Sequence, residues 1–454
     1  MLQMKHLIYL SPLALCPVVA QVVDARSACM AALDAEKKAQ ADNIGAVVSA
    51  VLDATGGDEQ AFGRLMREAA DAGHPVALTW LARQNLRQLR ASGKDLSTAP
   101  EAAKLRAVVE TAAAQGYVPA VVELSHFLGS GVGAPPDEDA GMKHLMEACK
   151  ANSARARAAY LLLSGRLEKE GDAGAATQAE LQKNNHYVED FLALLSPDTA
   201  RSIEWLTRAA SHGSSSAAHR LAGYYLQEGK VLQGYEFLKQ AVDGNQAESM
   251  SLLASWMLPG ADVPAELQKT IKPDTEAAIR LFQRAALQGY TPALIPLAGE
   301  YHKQPEKYSA ERVFELYRLA ADSGDARGGV AYAYCLVAGR GCAAEPERGL
   351  RVLNQLVDAG VPFANLALAD LYFNGCGVEA DMPRAISCLT SAASMGVPQS
   401  YTLMAVISQL GNASKASDPQ RARTYLRMAQ ERGELAPQQA FDALVKAGAW
   451  KFMP

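Results

Sequence analysis

A phrase of the form A-A-x-x-G-x-x-x-A recurs along this chain and constrains its fold more than any other feature. Clear copies begin at Ala69 (AADAGHPVA), Ala112 (AAAQGYVPA), Ala209 (AASHGSSSA), Ala285 (AALQGYTPA), Ala320 (AADSGDARG) and Ala392 (AASMGVPQS). Weaker copies begin at Glu147, Ala241, Leu356 and Ala429. The marker glycines Gly289, Gly324, Gly360, Gly396 and Gly433 are spaced 35, 36, 36 and 37 residues apart. Upstream, Gly73 and Gly116 are 43 apart, Asn152 takes the next place, and the 61 residues from there to Gly213 imply an insertion of about 25. A fixed period of this length marks stacked units, each too small to bury its own apolar face.

Each unit reads as two helices. Helix B ends in the alanine pair, and the marker glycine supplies the φ > 0 residue that closes it. Helix A follows. In 363–372 it carries Leu368, Leu371 and Tyr372 at i, i+3, i+4, an amphipathic stripe. A glycine loop, Asn374-Gly-Cys-Gly-Val378, leads to Asp381, which can cap the next helix B, with Ala385, Ile386, Leu389, Ala392 and Ala393 at helical spacing.

These residues resemble the Sel-1-like repeat, a 36-residue relative of the tetratricopeptide repeat. The segment 363–396 matches best, through L-A-x-x-Y, the loop Gly375-Cys376-Gly377-Val378, Asp381 and the terminal A-A-x-x-G. The copy at 327–360 keeps Gly339-Arg340-Gly341 but has Cys342 in place of the family's valine, and 119–152 carries Gly129-Ser130-Gly131-Val132. Copies at 215–244 and 247–289 shorten or stretch the loop. The resemblance implies an all-α, right-handed solenoid of antiparallel helix pairs over 43–433. Nine or ten repeats at about 10 Å of helix packing each give an arc on the order of 100 Å. Gly73, Gly116, Gly213, Gly289, Gly324, Gly360, Gly396 and Tyr372 are then structural residues of the repeat.

Three segments lie outside the pattern. Residues 168–197 interrupt one repeat and are expected to add a helix around Gln178–Leu195, either on a binding face or as surface decoration. Residues 434–454 read as a capping helix, Pro437 to Ala447, followed by Trp450 and Phe452. At the other end, Lys5 and His6 precede an apolar stretch, Leu7 to Ala20, that ends in Val18-Val19-Ala20. It reads as a signal peptide cut before Gln21, with translation starting at Met1 or Met4, and leaves 21–42 as a leader or cap. It is too short to span a bilayer, Pro12 and Pro17 break it as a helix, and Leu15 before Cys16 argues against a lipoprotein. A buried first helix of a cytosolic protein is the alternative.

Composition narrows the class of function. Net charge is −5 and falls to −6 once Lys5 is removed with the leader, so no nucleic-acid partner is expected. No later run of 18 apolar residues exists, so no integral membrane span is expected. The chain has no G-x-S-x-G, H-E-x-x-H or G-x-x-x-x-G-K-[ST] motif. Gly129, Gly131 and Gly133 mimic a phosphate loop but fall at the inter-helix position. His212 and His219 flank one junction and read as solvent-exposed. No catalytic residue, cofactor or metal site is expected.

Helix A lines the concave surface in the family, and aromatic anchors often carry binding on such surfaces. Trp80, Tyr224, Trp256 and Tyr334 are therefore the candidate partner contacts, with core filling the plainer reading. Tyr225, Tyr301 and Tyr372 occupy the repeat's consensus position and read as packing residues. Cysteine-rich exported relatives staple repeats with regular disulfides, whereas the six cysteines left after residue 20 are irregular, with no C-x-x-C. Cys342 and Cys376 fall in successive loops roughly 10 Å apart by helix-packing distances. A disulfide needs Cα atoms within about 7 Å, so this pair forms only if the loops lean together, and free thiols are the alternative. The resemblance implies a non-catalytic scaffold for a protein partner, exported to a bacterial periplasm or cell surface and serving signalling, envelope assembly, exopolysaccharide secretion or host contact. A cytosolic adaptor, a β-lactam-interacting enzyme and a carbohydrate binder are the rivals.

Overall fold

The computed structural model describes residues 17–40, 42–150, 154–163, 177, 179–183, 185–196, 199–397, 400–412, 414–434 and 436–447. Most of the expected signal peptide, much of the expected insertion and the expected turn residue Asn152 lie outside them. Among the described residues the chain is helical throughout, with one isolated bridge, Asn412 to Lys415, and no strand.

Two compact units divide the chain, one formed mainly by residues up to Met250 and the other mainly by residues from Ser251 onward. In the first, the helices are α1 (Pro17–Ala39), α2 (Ile44–Thr55), α3 (Glu59–Asp71), α4 (Pro75–Ala91), α5 (Pro100–Ala114), α6 (Val118–Ser130), α7 (Glu138–Lys150), α8 (Ala154–Leu163), α9 (His186–Leu195), α10 (Thr199–Ser211), α11 (Ser215–Gln227) and α12 (Val231–Asp243). The unit boundary falls within α13 (Ala247–Trp256). The second unit continues with α14 (Thr275–Leu287), α15 (Leu294–His302), α16 (Ala310–Asp322), α17 (Ala326–Ala338), α18 (Pro346–Asp358), α19 (Pro362–Asn374), α20 (Met382–Ser394), α21 (Ser400–Leu410), α22 (Pro419–Glu431) and α23 (Pro437–Ala447). Most helices pack chiefly on their neighbours in the chain, α23 rests more on α21 than on α22, and successive helices A also touch, as α6 with α8 and α17 with α19. This is the all-α stack of helix pairs expected from the repeat.

The recurring phrase now has a mechanism. Every marker glycine is left-handed, with φ between 73 and 95°. The residue after it returns its N–H to a carbonyl five residues back: His74 to Ala69, Ser214 to Ala209, Tyr290 to Ala285, Asp325 to Ala320 and Val397 to Ala392, all at 2.9–3.0 Å. This six-to-one bond terminates helix B and makes the first alanine of the pair its acceptor. At the degenerate copy after α12, Gly244 keeps φ −78° while Asn245 takes φ 62°, so the residue that tolerates the left-handed region occupies the register position.

Helix B starts as firmly. Asp381 accepts the N–H of Arg384 at 3.0 Å, and Asp274 and Asp418 cap α14 and α22 in the same way. The Asp381 N–H in turn donates to the Tyr372 carbonyl at 2.8 Å, tying the hairpin closed. Buried Tyr334, Val337, Leu353, Ala364, Ala367, Leu368 and Leu371 then form one core across α17, α18 and α19.

The described end of the expected insertion behaves as part of the repeat. Asn185 caps α9, which pairs with α10, and Val188 joins a core with Ala158, Leu161 and Leu181. The cysteine pairing is corrected. Cys342 and Cys376 are not joined, all six described cysteines are free, and the Cys342 thiol points at the Cys335 carbonyl 3.5 Å away. The intra-repeat turn draws Cys342 back toward its own helix A.

Candidate interaction surface

Helices A of the first unit bring a charged group together that no local motif announces. Arg83 on α4 donates Nε to Glu123 Oε2 on α6 at 2.8 Å and a terminal nitrogen to Asp42 Oδ1 at 2.6 Å. Arg155, at the start of α8, donates to the other oxygen of Asp42. Asp42 lies between α1 and α2, and its carboxylate meets two helices A, α4 and α8, while Glu123 adds α6 to the network through Arg83. Glu36, near the end of α1, accepts the Asp42 N–H at 2.6 Å and the buried Tyr117 hydroxyl at 3.0 Å. Gln40 Oε1 accepts the Val118 N–H at 2.7 Å, one of the donors a helix start leaves unpaired.

Electrostatics follows the geometry. Burial opposes ionisation of Asp42, yet the guanidinium groups of Arg83 and Arg155 outweigh it and hold the carboxyl below its ordinary range. Burial also works against the Arg83 cation, and Asp42 and Glu123 more than compensate. Glu36, with no guanidinium partner, is pushed up by burial.

The aromatic candidates divide. Trp80 is half-buried and meets Phe62 edge-on at 5.4 Å; Tyr224 is half-buried against Tyr225 at 5.3 Å; Trp256 is half-buried at the end of α13. Tyr334 is no surface contact. It is fully buried, and its hydroxyl donates to Asp370 Oδ2 at 2.5 Å, while Asn374 donates to Oδ1 at 2.8 Å. Burial first, and the facing carboxylate second, push the Tyr334 phenol up from its usual range. Tyr372 is half-buried beneath Arg384, 5.5 Å from its ring centroid. His212 and His219 turn to different partners, Glu189 Oε2 and Ser249 Oγ, each at 2.8 Å. Gly133 spends its N–H on the Leu96 carbonyl at 2.8 Å, so the Gly129–Gly133 run serves the helical hairpin.

The sequence reading passed over Asp42, Arg83, Glu123 and Arg155. One signal was present: Arg83, Tyr334 and Asp370 each stand ten residues after a marker glycine, at Gly73, Gly324 and Gly360. That register faces a neighbouring helix A. Among the described residues no cluster of three or more His, Cys, Asp or Glu side chains could hold a metal, and no helix is long and apolar enough to cross a membrane.

Stacked helical hairpins with inter-repeat side-chain networks on helix A define an α-helical repeat protein. The Sel1 repeat model matches residues 118–153, 192–214, 215–245, 247–290, 310–325, 362–397 and 398–434, and the chain belongs to the Sel1-repeat family. The matched segments leave out 326–361, where α17 and α18 form the same hairpin. Proteins of this family generally mediate protein–protein interaction. An uncharacterized protein of Neisseria meningitidis serogroup B is 26% identical over 231 residues, 51% of this chain and 46% of that protein, so the chain spans under half of that relative. Among solved structures, a protective antigen of uropathogenic Escherichia coli with the same repeat is 17% identical, with 95% of this chain and 98% of that one covered and a TM-score of 0.42. A Sel1 repeat protein from Oxalobacter formigenes is 19% identical, with 53% and 96% covered and a TM-score of 0.40.

Proposed function

We propose that the protein is a non-catalytic scaffold that holds a protein partner along the helix A face, and that it is exported after cleavage before Gln21. One observation carries the binding reading: Arg83, Glu123 and Arg155 line up across α4, α6 and α8 as a half-buried charged stripe reaching over three repeats. Such a stripe offers charge and register to an extended segment, with specificity from side chains that differ between repeats. Photocrosslinkers placed at Trp80 and Arg87 on helix A, and at Lys104 on helix B, test it in native extracts. Adducts with a second protein from the helix A positions are expected; adducts from Lys104 alone would move the site elsewhere.

Export is tested by N-terminal sequencing of the native protein, with Gln21 as the expected first residue. A second reading, a cytosolic adaptor of the same fold, draws support from the six free thiols, which suit a reducing compartment. It predicts a start at Met1 or Met4.

A further inference from the structure

The segment between α1 and α2 is bound to the charged stripe much as a ligand would be. Within seven residues, Glu36, Gln40 and Asp42 contact Tyr117, Val118, Arg83 and Arg155, which belong to three different hairpins. The backbone is bent to make these contacts. Gln40 and Asp42 have φ 57° and 59°, two of only four non-glycine residues in the left-handed region among those described. Gln40 closes α1 as a left-handed cap, its N–H on the Glu36 carbonyl at 2.8 Å, whereas Asp42 caps no helix, and its left-handed backbone aims one carboxylate between two guanidinium groups. Charge points the same way. With Asp42 withdrawn, Arg83 would keep Glu123 while Arg155 would lose the carboxylate it pairs with, leaving a cation in excess within a half-buried site.

We propose that Arg83 and Arg155 form a carboxylate-binding site on the helix A face, occupied in cis by Asp42, and that an acidic side chain in an extended partner segment binds by displacing Asp42 together with the Glu36 and Gln40 contacts. This rests on the scaffold reading and deepens it, naming the partner's chemistry and what holds the face closed without it. A competitor that presents its acidic side chain to the two arginines from extended backbone avoids the left-handed conformation of Asp42, which favours exchange once the segment's other contacts are matched.

The test uses the full chain and a fluorescein-labelled peptide of residues 36–43. Wild type should bind it weakly, because the site is filled. The double variant Gln40→Ala with Asp42→Ala should bind it at least tenfold more tightly. Adding Arg83→Gln or Arg155→Gln, or replacing the peptide's aspartate by asparagine, should remove that gain. Equal binding by wild type and the double variant, or full binding of the asparagine peptide, overturns the proposal. Should the double variant fail to fold, hydrogen exchange of wild type decides: the Val118 amide, bonded to Gln40 alone, should be protected, and an unprotected rate overturns the closed state. Helix A crosslinks without peptide preference would leave the scaffold standing and the cis-occupied site refuted. Peptide uptake without any helix A crosslink would do the reverse.

Discussion

Tyr334 and Asp370 show what one buried hydroxyl contributes to the stack. Tyr334→Phe keeps the ring and removes one donor to a fully buried carboxylate, which Asn374 also donates to. The expected cost is about 1–3 kcal/mol, the range for stranding a buried polar group. A urea midpoint unchanged by the substitution would show that Asp370 finds another donor. Asp42 gives a pH dependence with a definite sign. Its folded pKa lies below the unfolded value of about 3.9, so its stabilisation is complete above that pH and fades as the pH falls through the lowered folded value. The stability gap between wild type and Asp42→Asn should therefore be wide at pH 7 and close below about pH 4. A gap that persists in acid would assign the effect to packing. Among the thiols, burial pushes Cys335 up to about 12 and Cys29 up to about 11. Iodoacetamide at pH 8 should label half-exposed Cys376 first and reach Cys335 and Cys29 only on unfolding, read by mass spectrometry. These residues also mark where sequence reading stops. Tyr334 looked like a surface aromatic because its partner stands 36 residues later, and Asp42 meets Arg155 across 113. No local pattern records a contact of that length.

At the level of elements, two kinds of glycine punctuate the repeat. A Cβ added to Gly396 would meet nothing within 4 Å, so Gly396→Ala carries only the left-handed backbone penalty, about 1–2 kcal/mol. A Cβ on Gly377 would stand 2.0 Å from the Val337 carbonyl oxygen of the preceding repeat, with Gly341 placed likewise against Ala310. Gly377→Ala should cost clearly more than Gly396→Ala, because a helix must move as well. Thermal unfolding of the two variants measures the difference; equal losses would mean the loop yields freely. The turn that ends helix B was legible because a left-handed residue and a six-to-one bond are local. The G-x-G loop was legible as a loop, but its close approach to the previous hairpin was not, since neighbouring sequence does not encode that distance. Helix α9 was foreseen as an element yet placed in an insertion, because its hairpin partner α10 defines its role and its own residues do not.

For the whole molecule, stability in an array of this type is a sum of local and nearest-neighbour terms, so unfolding need not be all-or-none. Tyr334→Phe should accelerate hydrogen exchange in α17 to α20 and leave the amides of α4 to α6 unchanged. Acceleration throughout the chain would identify a single cooperative unit. The glycine contacts of the loops carry one more consequence, for how such a chain can grow. The carbonyls that Gly341 and Gly377 abut are ordinary backbone, which any sequence supplies, whereas the glycine itself must be encoded by the later hairpin. Duplication of one complete period therefore adds a unit that docks at once, since every copy brings the glycine its predecessor requires. A duplication of fractional length would set a side chain against that carbonyl and jam the stack.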